Sequence, residues 1–266
     1  MAILIFIAAF IGLAVLVVVG IRKGGQMEAA RDAKFQEAAA RLGWQFILKP
    51  MEGHREAGVP ERLLRASWDE IEFSIEGQQQ GHAWRLWYDR AHRFSGQRLP
   101  EDTAVSPSDA FAVFSSEAVR AAELSALILP HWQYKLEASK TAGIIGAVAE
   151  ALSSGASQVK NAPSRREFIL GAVEVPTSAA LRDAYAVLVG KQVPRDWFDG
   201  ELESMLLNLP KPVQLSHRTL VVRLDEKGLR MDFLSPPVDS WAFWQGFARL
   251  GEGLMARFIK AGIARR

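Results

Sequence analysis

The chain has 266 residues, 49% of them hydrophobic, with no cysteine and a formal net charge of +2 at pH 7. That composition excludes disulfides, a thiolate nucleophile and thiolate metal ligands, and the scattered basic residues offer no nucleic-acid surface. Eight Trp and fourteen Phe supply enough bulk for the core of one sizeable domain or two small ones.

The first stretch, Met1 to Ile21, carries no charged side chain and is followed by Arg22-Lys23. About 20 apolar residues in a helix cross a hydrocarbon core of ~30 Å, so segment 1–23 reads as a single transmembrane anchor, with Met1 to Ile21 in contact with the lipid bilayer. A signal peptide places a basic region ahead of an apolar run of about 7–15 residues. Here the run is longer and no Lys or Arg precedes it. Arg22, Lys23, Arg31 and Lys34 lie after it, which by the positive-inside tendency turns the rest of the chain toward the cytoplasm.

Gly24-Gly25 breaks the anchor, and Met27 to Leu42 resumes as a helix with Phe35, Ala38, Ala39 and Leu42 on one stripe. Its polar side mixes Glu28, Arg31, Asp32, Lys34 and Glu37, which suits solvent. Gly43 stands where a left-handed cap is wanted. Trp44 to Leu48 reads as a strand. In the next clear pair, Ile71, Phe73 and Ile75 alternate with acidic and polar residues, the segment Gly77 to Gly81 turns the chain, and Ala83 to Asp89 returns with Trp84, Leu86 and Tyr88 on one face. This is a β-hairpin, whose second strand shows Arg85, Trp87 and Asp89 on the other face.

A polar loop, His92 to Asp109, leads to a strand at Ala110 to Ser115. Glu117 to Leu127 is helix-like, and His131 to Leu136 alternates as a strand. Residues 139–166 turn rich in Ala, Gly and Ser and read as a linker or mobile helix. Beyond them Glu167 to Val175 and Tyr185 to Val189 are strand-like, and Asp199 caps a helix running to Leu209. Leu220 to Leu224 and Leu229 to Leu234 flank Asp225-Glu226-Lys227-Gly228, whose Gly suits a positive φ. Asp239 or Ser240 then starts a terminal helix with Phe243, Phe247, Leu250, Leu254 and Phe258 on its stripe.

With hairpins recurring and no regular βαβ alternation, the expected class is α+β: one N-terminal transmembrane helix, then antiparallel hairpins packed with helices. The soluble region divides into lobes at 24–138 and 167–266, or forms one sheet assembled from both sides of the insert.

The chemistry-bearing residues do not converge. His82, Asp89 and His92 offer two imidazoles and a carboxylate, the types that hold Zn²⁺ or Fe²⁺. At ~3.3 Å per residue, however, the strand between the histidines holds them far apart, so they read as solvated hairpin-end residues. There is no Gly-x-Ser-x-Gly elbow for a hydrolase. Gly77 to Gly81 lacks the Lys-Ser/Thr ending of a phosphate loop, Gly251-Glu252-Gly253 lies within a helix stripe, and Glu201 and Glu203 suit a helix's first turn. No catalytic residue, cofactor or metal is expected. Trp87 and Trp241 fall off the main apolar stripes of their elements, which marks them as the partner-contact candidates.

The run Ala-Ala-Arg-Leu-Gly-Trp-Gln-Phe (Ala39 to Phe46), the hairpin from Phe73 to Asp89 and the terminal strand–turn–strand–helix resemble a loose group of uncharacterised bacterial proteins with an N-terminal membrane anchor. Trp-Tyr-Asp-Arg stands here where that group has aromatic-Asp-aromatic. The resemblance implies an anchored domain at a bacterial inner membrane and transfers no catalytic residue. Anchor and missing site together point to a membrane-tethered, non-enzymatic accessory or scaffolding protein that works by protein–protein contacts with a membrane-protein partner. The alternative is a small-ligand sensor or hydrolase, with a pocket between sheet and terminal helix and His82 or His131 inside it.

Overall fold

A computed structural model describes residues 26–48, 71–89, 110–139, 165–191, 193–210 and 218–263. The chain falls into two compact units, Met1–Phe46 and Ile47–Arg266. In the first, helix α1 covers residues 26–41 and ends as the sequence requires. Gly43 takes φ +74°, its N–H donates to Ala40 O, and Trp44 N–H reaches back to Ala39 O. These two bonds form a Schellman cap. Ala39 and Phe35 are buried, and the Phe35 ring meets Phe46 edge-on at 6.2 Å.

The strands, in chain order, are β1 (Gln45–Leu48, running across the division between units), β2 (Ile71–Gln79), β3 (His82–Asp89), β4 (Phe111–Ser116), β5 (Ala126–Pro130), β6 (Val173–Glu174), β7 (Tyr185–Val189), β8 (Val221–Asp225) and β9 (Gly228–Leu234). Helices α2 (His131–Ala138), α3 (Arg165–Gly171), α4 (Ala179–Ala184), α5 (Gly200–Asn208) and α6 (Trp241–Lys260) join them, with a 3-10 turn at Arg195–Trp197. The strands form one sheet in the order β1-β2-β3-β4-β9-β8-β5-β7-β6. Each of the pairings from β2 to β6 in that order is antiparallel.

Side-chain alternation divides this sheet into two faces. Phe73, Tyr88, Ala112 and Phe233 lie in register on one face, as do Ile75, Leu86, Phe114 and Met231. Helix α6 packs there, and the stripe Phe243, Phe247, Leu250, Leu254 and Phe258 is buried along its length. At Gly251 the helix comes so close that an added Cβ would sit 2.4 Å from the Phe114 ring. Ser240 caps α6 through a bond from Phe243 N–H, and Gly262 at φ +79° ends it with a second Schellman cap. On the other face Leu127, Leu129, Ala186, Leu188 and Val221 pack under Phe168 and Ile169 of α3, with Tyr134 and Ala138 of α2 beside them.

Both hairpins form where the sequence places them. Strand β2 runs two residues past Gly77, however, so the turn is only Gln80-Gly81, at φ 52° and 78°. Positive φ at both central residues is the type I′ geometry that matches strand twist. In the second hairpin Gly228 takes φ +119°, and a Cβ there would lie 2.3 Å from Ser116 O. Only glycine fits.

The expected fold class needs correction. An α+β fold on a nine-stranded antiparallel sheet replaces the class with a transmembrane helix. No helix among the described residues is long and apolar enough to cross a membrane, and Met1 to Ile21 lies outside them. Of the two arrangements open for the rest of the chain, lobes at 24–138 and 167–266 or one shared sheet, the strands adopt the second. Strand β9 pairs with β4 and β8 pairs with β5, so residues from either side of the 139–166 insert meet in one sheet. Most of that insert, 140–164, lies outside the described residues, as does the loop from His92 to Asp109.

Local errors have local causes. His131 to Leu136 is helical, because Tyr134 and Ala138, four apart, both reach the apolar cluster. Glu167 to Val175 is mostly helix α3, with Phe168 and Ile169 on the same cluster and only Val173–Glu174 extended. Glu117 to Leu127 is not a helix, since its amides bond elsewhere: Ala121 N–H donates to Asp225 O and Ser125 N–H to Leu224 O. Those bonds deliver the chain into β5.

Candidate functional site

The two tryptophans singled out from sequence have different fates. Trp87 keeps only 5% of its surface and is buried within the sheet, so the indole is not an exposed contact. Arg230 stands over its ring, 5.9 Å from the centroid. Trp241 is half-buried at the start of α6. His82 begins β3 and is part-buried opposite Gln79 at the hairpin end. His131 opens α2, and its ring meets Tyr134 edge-on at 6.1 Å. The side chains of Asp89 and His92 lie outside the described residues. Among those residues no group of three potential metal ligands comes together.

The space between sheet and α6, expected to hold a pocket under the ligand-sensor reading, is packed with aromatic side chains. Trp244 meets Phe73 at 5.0 Å and Tyr88 at 5.8 Å, while Phe233 meets Phe243 at 4.9 Å. All five rings are buried, and Trp244 Nε1 donates to Val238 O. Its polar atom is satisfied and its body is core.

The opposite face carries what the sequence reading missed: a charged row running across the strands. Register places Glu76 beside Arg85, Arg85 beside Ser115, Ser115 beside Arg230, and Arg230 beside Arg223. Two arginines directly opposite one another are unfavourable unless each is countered. Arg230 grips Asp232 with Nε at 2.9 and 3.1 Å from the two carboxylate oxygens, and Arg85 Nε lies 2.6 Å from Glu76 Oε1. Arg223 is held more loosely, 3.8 Å from Asp225. Burial pushes the Asp225 carboxyl up, against the pull of Arg223 and a hydrogen bond from Lys227 N–H.

Arg165 is the first residue of α3. Its Nη2 lies 3.0 Å from Glu137 Oε1, and Glu137 is itself fixed by Gln133 Nε2 at 2.9 Å. Desolvation lowers the Arg165 pKa, with Glu137 and Asp232 acting to raise it and Arg223 to lower it further. The pattern was hidden because Arg85 is far in sequence from Arg223 and Arg230, and all three look like ordinary solvent-facing strand residues. Only the register of the hairpin strands brings them into line.

Two further clusters tie helices down. Arg218 donates to the carbonyls of Leu206, Leu207 and Leu209, capping the end of α5, and lies 5.6 Å from the Tyr185 ring centroid. Burial pushes the Tyr185 hydroxyl up to about 12, against the pull of Arg218. At the other end of α5 Arg257 reaches Asp199 Oδ2 at 2.8 Å and also Glu201. Glu203 accepts from Ser178 N–H at 3.3 Å, so the two first-turn glutamates serve as anchors of α5. At the surface, Leu136 of α2, Leu170 of α3 and Val173 of the edge strand β6 stay exposed at 42%, 63% and 39%.

No family model matches the chain, and no curated protein matches it. Among solved structures, the crystal structure of the mycobacterial trehalose monomycolate transport factor A, TtfA, aligns over 87% of this chain and 95% of its own, at 8% identity and a TM-score of 0.38. A likeness that distant decides neither fold nor function.

Proposed function

We propose that this chain is a non-enzymatic accessory protein that works by protein–protein contacts at a bacterial inner membrane, from its cytoplasmic side. The observation that carries the contact reading is the set of exposed apolar side chains, Leu136, Leu170 and Val173, on α2, α3 and the edge strand β6. Helices α2 and α3 rest on the apolar cluster through Tyr134, Ala138, Phe168 and Ile169, so Leu136 and Leu170 are presented on a packed base. Apolar groups left in water on a rigid surface favour burial against a partner, by about 25 cal/mol for each Å² covered. The location rests on the uncharged stretch Met1 to Ile21 with Arg22-Lys23 after it.

Its test is an affinity purification of the full chain from membranes solubilised in mild detergent, comparing the native protein with Leu170→Asp/Val173→Asp. Both side chains are exposed, so the variant keeps its fold, verified by its circular dichroism. The expected result is loss of the co-purifying partner from the variant alone. Equal recovery of the same partner by both forms removes this surface from consideration, and recovery of the native chain entirely in the aqueous fraction removes the location.

A further inference from the structure

We draw no further inference here: the strongest candidate, the exposed apolar side chains Leu136 of α2, Leu170 of α3 and Val173 of the edge strand β6, belongs to the contact surface already described, and nothing in the structure shows what covers it.

Discussion

The face of the sheet under α6 buries Phe73, Tyr88, Phe114 and Phe233 against Trp244, Phe243 and Phe247, while the opposite face buries Trp87 and Leu127 and carries the half-buried Arg85, Arg223 and Arg230. The two faces are stabilised under different constraints. An aromatic side chain gains from burial wherever its shape fits, whereas a charge gains only when its partner stands at the right distance and angle. The first face is therefore stabilised by volume, and the second by geometry. Failure on the first leaves a cavity; failure on the second leaves an unpaired ion.

The largest effect that would break this contrast lies under α6. Trp244→Ala removes a fully buried indole together with its bond to Val238 O, and should cost about 3–5 kcal/mol in urea unfolding. The loss should be the same at low and at high salt, because no charge takes part. A strong salt dependence of that loss would mean the two faces are not distinct in kind.

A middle-sized effect sharpens the ionic side. Glu137→Gln keeps the bond to Gln133 yet removes the charge opposite Arg165, and should cost about 1–3 kcal/mol. Adding Arg165→Met should recover part of that loss, since two absent charges are easier to bury than one orphan. Strictly additive losses in the double-mutant cycle would show that the pair is uncoupled.

How far each face was legible in the sequence follows from the same distinction. The apolar face announces itself by period: the spacing of Phe243, Phe247, Leu250, Leu254 and Phe258 is by itself that of one helix stripe, and the alternation of Trp84, Leu86 and Tyr88 is that of one strand face. Glycine positions were legible where φ must be positive, as at Gly43 and Gly228. The charged row had no period to read, because its spacing exists only between strands. Trp87 was misjudged for that reason: its partner in the fold, Arg230, lies more than a hundred residues away, on β9. Short segments failed differently. His131 to Leu136 fits both a period of two and the start of a helix, and the choice was made by the cluster that Tyr134 and Ala138 reach.

The smallest effect concerns an ion pair that belongs to neither face, and it shows how little such a contact contributes once it is solvated. Burial pushes the Asp199 carboxyl up, but hydrogen bonds from Leu202 N–H and from the Arg257 guanidinium outweigh it and hold its pKa below the usual carboxylate value. A group whose pKa is lower folded than unfolded contributes stability that is complete above the unfolded value, ~3.9, and is lost as pH falls through the folded one. Asp199→Asn keeps an N-cap acceptor for α5 and removes the charge. With Asp199 46% exposed, the change at pH 7 should stay below about 1 kcal/mol. What it should alter is the shape of the curve. Below about pH 4 the native Tm falls as Asp199 takes up its proton, and the variant, with no proton to bind there, should fall less steeply. Superimposable acid limbs would mean that the Arg257 contact adds nothing beyond the cap.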